Sequence, residues 1–240
     1  MIADDESIRS STEACAVGGV DAMVSQRRRA ILWDNDGVLV DTEPLFFEAN
    51  RRELATLGVT ASWEQFEKIN LKQGVSLLSL SGLQGEALED LYARRDALYG
   101  ELLRIENVVM PGMAALLGRL KEGFSMGIVT SSLREHFEII HERSGLLEHM
   151  EFAVVREDYE RAKPHPDGYL AGIERTALGA GECIAVEDSP RGVDAARAAG
   201  LHCVFFAPGG VGQEREVGDV YARVGSVEEL EAALREWAGS

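Results

Sequence analysis

Positive charge is what this chain is short of. Its 240 residues carry 24 Lys and Arg against 41 Asp and Glu, a formal charge of −17. A nucleic acid or an anionic membrane needs clustered basic side chains, so the deficit argues against either as the main partner. Long apolar runs are missing too, and none approaches the roughly 18 residues of a membrane span. Cysteine is sparse: Cys15, Cys183 and Cys203 lie far apart and share no metal-ligand spacing. They read as reduced thiols, which points to a cytoplasmic protein. The first residues include Asp4, Asp5 and Glu6 rather than positive charge ahead of an apolar stretch, which argues against a secretory signal. What is present is ordinary for a globular chain, with 45% hydrophobic and 27% charged residues. At about 150 residues per domain the length allows one or two domains.

Residues 1–29 lack sustained periodicity and end in Arg27-Arg28-Arg29, which predicts a mobile leader. Order is expected from Ala30-Ile31-Leu32-Trp33, a short apolar run that stops at Asp34-Asn35-Asp36-Gly37. A buried parallel strand delivers side chains to a site in this way. Met126–Val129 runs similarly into Thr130-Ser131-Ser132, Cys183–Val186 into Glu187-Asp188-Ser189, and Leu201–Phe206 into Ala207-Pro208-Gly209-Gly210. Phe152–Val155 is a further candidate strand. Helical patterns alternate with these runs. Ser132-Leu133-Arg134-Glu135 reads as a capping box ahead of a face of Leu133, Phe137 and Ile140, and Ser226 opens a last helix through Val227, Leu230, Leu234 and Trp237. The alternation predicts an α/β fold, a doubly wound parallel sheet.

One interval breaks the alternation. Between Pro44 and Met110 no strand is expected, and helices are: Pro44 to Leu57, one opened by Ser62-Trp63-Glu64-Gln65, and Gly85 to Ile105. Residues 44–110 are therefore expected to form a small all-α domain, with 30–43 and 111–240 forming the core. Its expected place is over the carboxyl ends of the strands, where such sheets bind ligands.

The chemistry-bearing side chains gather at those ends: Asp34 and Asp36, Thr130, Lys163, Glu187 and Asp188. Crowded carboxylates repel one another and are tolerated around a hard divalent cation, and oxygen donors of this kind select Mg²⁺. One carboxylate could then attack phosphorus while the metal and Lys163 neutralise the incoming dianion. A carboxyl two residues later could donate and retrieve a proton. Thr130, with the amides of Ser131 and Ser132, offers donors to phosphoryl oxygens. These parts suit phosphoryl transfer through an aspartyl-phosphate.

Four segments carry a family resemblance. Asp34-Asn35-Asp36-Gly37-Val38-Leu39-Val40-Asp41-Thr42-Glu43 resembles the first motif of the haloacid-dehalogenase-like hydrolases. Ile128–Ser132 resembles the second, Lys163-Pro164-His165-Pro166-Asp167-Gly168-Tyr169 the third, and Val186–Gly192 the fourth. All four occur in order. The resemblance implies Asp34 as nucleophile, Asp36 as general acid/base, and Thr130 and Lys163 as phosphoryl ligands. It implies Mg²⁺ held by Asp34, the backbone carbonyl of Asp36, and Asp188, with Glu187 beside or behind it. It also implies that the helical insertion is a mobile cap. Dehalogenase members resembling this chain lack an Asp two residues after the nucleophile; Asp36 is present, which favours a phosphatase. The β-phosphoglucomutase branch shares Asp41-Thr42 but carries a histidine where Phe46 stands here.

The expected activity is hydrolysis of a small phosphorylated metabolite, a sugar or polyol phosphate. A phosphomutase and a catalytically silent binding protein remain as alternatives, and the oligomeric state is open. Substrate choice is expected from the cap loop Leu71-Lys72-Gln73-Gly74-Val75-Ser76, whose Lys72, Gln73 and Gly74 join Ser131 of the second motif in the candidate binding set; Lys72 reads equally as an exposed helix-end lysine. His136, His141 and His149 are expected to face solvent, His165 to stiffen a loop, and Cys203 to lie in the core.

Overall fold

The computed structural model describes residues 29–210 and 216–240. Cys15 and most of the expected leader fall outside them; Arg29, counted with that leader, opens the first strand instead. Six strands are described: β1 (Arg29–Trp33), β2 (Phe124–Val129), β3 (Phe152–Val154), β4 (Cys183–Glu187), β5 (His202–Phe206) and β6 (Ala222–Val224). They form one parallel sheet in the order β3-β2-β1-β4-β5-β6. β1 and β4 are therefore central neighbours, with Trp33 opposite Val186. β6 was not foreseen.

The alternation of side chains along a strand explains the layering. In β1, Ala30 and Leu32 join one apolar cluster while Ile31 and Trp33 join another; in β4, Cys183 and Ala185 divide from Ile184 and Val186 in the same way. The first face is covered by α6 (Asp167–Thr176) and α7 (Pro190–Ala198), through Tyr169, Val193, Ala195 and Ala196. The second is covered by α4 (Met113–Leu120), α5 (Arg134–His141) and α8 (Val227–Gly239), through Leu116, Leu117, Phe137, Ile140, Leu230 and Leu234. Arg29 ties α8 to β1, donating to the carbonyls of Trp237 and Ser240 and stacking 4.7 Å over the Trp237 ring.

Helices fill the interval after β1: α1 (Glu43–Thr56), α2 (Trp63–Phe66), a π-helical turn over Glu67–Lys72, a 3₁₀ turn over Leu77–Ser81, and α3 (Glu86–Ile105). They have an apolar cluster of their own, built from Leu54, Ala61, Phe66, Leu77, Leu78 and Leu91. The capping box at Ser62 forms, its hydroxyl accepting from Gln65 N–H while the Gln65 side chain accepts from Ser62 N–H. The one expected at Ser132 does not. α5 begins at Arg134 with no side-chain cap, and the Glu157 carboxylate, 3.0 Å away, takes the Arg134 N–H. The Ser132 hydroxyl is engaged elsewhere.

Candidate active site

β1 ends by running into a tight loop. Asp34 N–H extends the ladder to the Val186 carbonyl at 3.0 Å, and the Asn35 carbonyl then accepts from both Leu39 and Val40 N–H groups. Gly37 turns this loop with φ +81°, and a Cβ there would fall 2.2 Å from Asp188 Oδ2. Glycine thus meets two demands, a left-handed backbone and room for a carboxylate delivered from the end of β4.

Lys163 holds the centre. Its ammonium donates to Asp34 Oδ1 at 2.7 Å, Glu187 Oε1 at 2.6 Å and the Val129 carbonyl at 3.1 Å, which uses all its protons. The Tyr169 hydroxyl adds a bond to Glu187 Oε1 at 2.7 Å, and Ser189 one to Oε2 at 3.3 Å. Glu187 is fully buried; Asp34 and Lys163 nearly so. Burial, helped by the Glu187 charge and opposed by Lys163, pushes the Asp34 carboxyl up to about 7. At Lys163 burial disfavours the charge, but Asp34 and Glu187 outweigh it and hold the amine protonated.

Asp34, Glu187 and Asp188 offer carboxylate oxygens all within 4.8 Å of one another. Three carboxylates gathered this closely, two of them buried, repel one another, which a further cation would relieve. Oxygen-only donors, with space secured by Gly37, fit a hard divalent ion. α7 presses on this cluster from behind: a Cβ on Gly192 would lie 1.9 Å from the Glu187 carboxyl.

Asp36 sits apart from that cluster. Its Oδ1 accepts from the Thr42 hydroxyl, and its Oδ2 from Ser132 at 2.5 Å, with Thr130 and the Asn35 amide both at 3.3 Å. Thr130 in turn accepts from Ser132 N–H at 3.0 Å. Asp34, Asp36, Thr130, Ser131, Lys163 and Asp188 all line one cleft of about 470 Å³. Glu187 lies behind its wall, reached through Lys163.

The far wall comes from the inserted helices and α5, through Phe46, Asn70, Leu71, Arg95, Asp96, Tyr99 and His136. Arg95 is buried, bonded to Asp96 at 2.7 Å and Asn50 at 3.3 Å, and stacked 4.6 Å over the Phe46 ring. Arg95 and Asp96 are not among the residues expected from the sequence; their signal there is a charged pair on the apolar side of α3. Lys72 and Gln73 are exposed and do not line the cleft, whereas their neighbours Asn70 and Leu71 do. Gly74 touches its rim, since a Cβ there would meet the guanidinium of Arg191, a lining residue, at 2.4 Å.

Two histidines expected in solvent are buried. His136 shares its Nε2 with the Asp96 carbonyl at 3.2 Å and packs edge-on against Tyr99; His141 reaches Asn35. Amphipathic periodicity places a polar residue outside by default, and here the polar partners waiting inside reverse that. His149 is half-buried, His165 is exposed, and Cys203 is in the core as expected.

A family model described as haloacid dehalogenase-like hydrolase matches residues 31–206. Hexitol phosphatase A of Escherichia coli K12 is 34% identical over 181 residues, covering 74% of this chain and 82% of that protein. The mitochondrial (DL)-glycerol-3-phosphatase 1 of Arabidopsis thaliana is 30% identical over 210 residues, covering 81% and 70%. Among solved structures, CbbY from Rhodobacter sphaeroides in complex with phosphate superposes with a TM-score of 0.74 at 23% identity, over 87% of this chain and 99% of that one.

Proposed function

The chain belongs to the haloacid dehalogenase-like hydrolases, whose model spans most of its described core, and from that premise we propose that it is a phosphatase of small phosphorylated metabolites, sugar or polyol phosphates foremost. The observation that carries this reading is the convergence at Lys163: a nucleophile-grade carboxylate (Asp34), a buried anchor (Glu187) and a cleft holding Thr130 and Asp36. Mg²⁺, held by Asp34, the backbone carbonyl of Asp36, and Asp188 with Glu187 beside it, would supply the positive charge that lets a phosphoryl dianion approach a carboxylate.

Asp34 attacks phosphorus, forming the acyl-phosphate bond as the ester oxygen leaves. Asp36 gives that oxygen a proton, then takes one from a water that cleaves the acyl-phosphate and releases phosphate. To do so Asp36 gives up the Thr42 bond at Oδ1, the oxygen that would carry the proton, while the Asn35 amide keeps hold of Oδ2. Lys163, giving up its bond to Asp34 as that carboxylate attacks, and Thr130 bind the transferring phosphoryl oxygens. Asn70, Arg95, Asp96 and His136 offer hydrogen bonds for substrate hydroxyls on the far wall, and residues 44–110 act as the domain that covers the cleft. A phosphomutase is disfavoured by Phe46, which lines the cleft with a side chain that can neither donate nor accept a proton. The free, buried thiols Cys183 and Cys203 accord with a cytoplasmic location.

The test is phosphate release in Mg²⁺ across sugar phosphates, polyol phosphates, phosphoglycolate and nucleotides. Asp34→Asn is expected to abolish turnover with an unchanged circular dichroism spectrum. Appreciable residual turnover would remove Asp34 from its role, and isomer interconversion faster than phosphate release would make the enzyme a mutase.

A further inference from the structure

Behind the acid/base loop lies a line of buried and half-buried polar groups that the proposed chemistry does not use. His141 closes α5, is 5% exposed, and packs its ring 4.4 Å from that of Phe137. Its Nε2 lies 2.9 Å from Asn35 Oδ1, and its Nδ1 lies 2.9 Å from Ser144 Oγ. Asn35, between the two aspartates, is itself fully buried.

The direction of every proton in this line follows from the inventory of donors and acceptors. An amide flip at Asn35 would aim its oxygen at Asp36 Oδ2, acceptor against acceptor; the amide NH₂ therefore faces Asp36 and the oxygen faces His141. That oxygen can only accept, so the His141 proton is on Nε2. In the neutral ring Nδ1 carries the lone pair and accepts from the Ser144 hydroxyl, whose oxygen also accepts from Leu146 N–H at 3.1 Å. The relay runs Ser144 to His141 to Asn35 to Asp36, with one tautomer and a neutral ring. Burial pushes the ring down to about 4, in keeping with neutrality near pH 7.

We propose that His141 is a positioning residue for the reaction: through Nε2 it fixes the rotation of the Asn35 side chain, and Asn35 in turn aims the carboxyl of Asp36. The proposal rests on Asp36 being the general acid. Asn35 is placed to transmit this, because its own carbonyl also organises the turn through Leu39 and Val40.

The experiment compares two esters. An alkyl phosphate such as glycerol 3-phosphate needs a proton on its leaving oxygen, whereas p-nitrophenyl phosphate releases a stable anion and needs little. kcat/KM reports steps through formation of the acyl-phosphate, where the general acid acts. His141→Phe keeps the volume and removes both hydrogen bonds; it is expected to lower kcat/KM for the alkyl ester roughly 10- to 100-fold and for the aryl ester by far less, mainly through kcat. His141→Gln, whose amide can donate to Asn35, is expected to restore most of the loss. If His141→Phe does not fold, Ser144→Ala, which releases the tautomer from the other side, supplies the same comparison with a smaller effect. Equal losses on both esters, no loss, or no rescue by Gln overturns this proposal alone. A wild-type enzyme that releases phosphate from neither ester nor any member of the metabolite panel overturns the phosphatase reading, and this proposal with it.

Discussion

Lys163 shows what one side chain can decide. Its ammonium is the sole described donor that bridges Asp34 to Glu187, and all three groups are shielded from water. Removing one partner of a buried ion pair costs about 3–5 kcal/mol, because the other is left charged and unpaired. Lys163→Met should therefore do two things: abolish turnover, and lower the urea midpoint measured in EDTA by an amount equivalent to that range. Asp34→Asn, which keeps an acceptor for Lys163, should abolish turnover with a much smaller stability change. Equal stability of the two variants would show that the cluster is not held by Lys163. At this scale the sequence was readable wherever a polar residue ended an apolar run: Asp34, Thr130, Glu187 and Asp188 all do, and the sheet edge brings them together. It was not readable where the partner comes from a distant segment. His141 finds Asn35 across 106 positions, and Arg95 finds Asn50 across 45; nothing local to either residue announces the pairing.

The elements were legible in proportion to their burial. β1, β2 and β4 are apolar runs buried along nearly their whole length, and they were read within a residue or two. β6 is three residues, Ala222, Arg223 and Val224, with Val224 alone buried, so it had neither run nor alternation to betray it. Ser132 failed as a cap for a physical reason: its hydroxyl gains a charge-assisted bond to Asp36, stronger than a neutral bond to a helix N–H. The start of α7 carries a prediction at this scale. Ser189 caps it by accepting from Gly192 N–H at 3.1 Å, and Pro190 opens its first turn. Gly192 therefore cannot retreat from Glu187. Gly192→Ala should displace either the helix or the carboxylate and cut kcat/KM by at least an order of magnitude, while Gly181→Ala, whose Cβ would meet nothing within 4 Å, should leave it unchanged. Comparable kinetics for the two variants would refute the close packing of α7 on the site.

At the scale of the whole molecule, the net charge of −17 opposes the substrate. A phosphate ester is itself an anion, so attraction must come from within the cleft, from Lys163, Arg191 and the cation that the carboxylates call for, while the surrounding field repels. The two contributions differ in range. Contacts inside the cleft are short and shielded, whereas the field of the acidic surface acts over distances that salt screens: the Debye length is about 30 Å at 0.01 M ionic strength and about 8 Å at 0.15 M. Raising NaCl between those limits at saturating Mg²⁺ should thus weaken the repulsion more than the binding. kcat/KM for an anionic ester is expected to rise and kcat to stay constant, opposite to the behaviour of an enzyme that steers its substrate electrostatically. Stopped-flow or initial-rate measurements at fixed Mg²⁺ decide it. A steep fall of kcat/KM with salt would mean that the mouth of the cleft projects a positive field beyond the protein surface, and that the acidic exterior has no part in governing access.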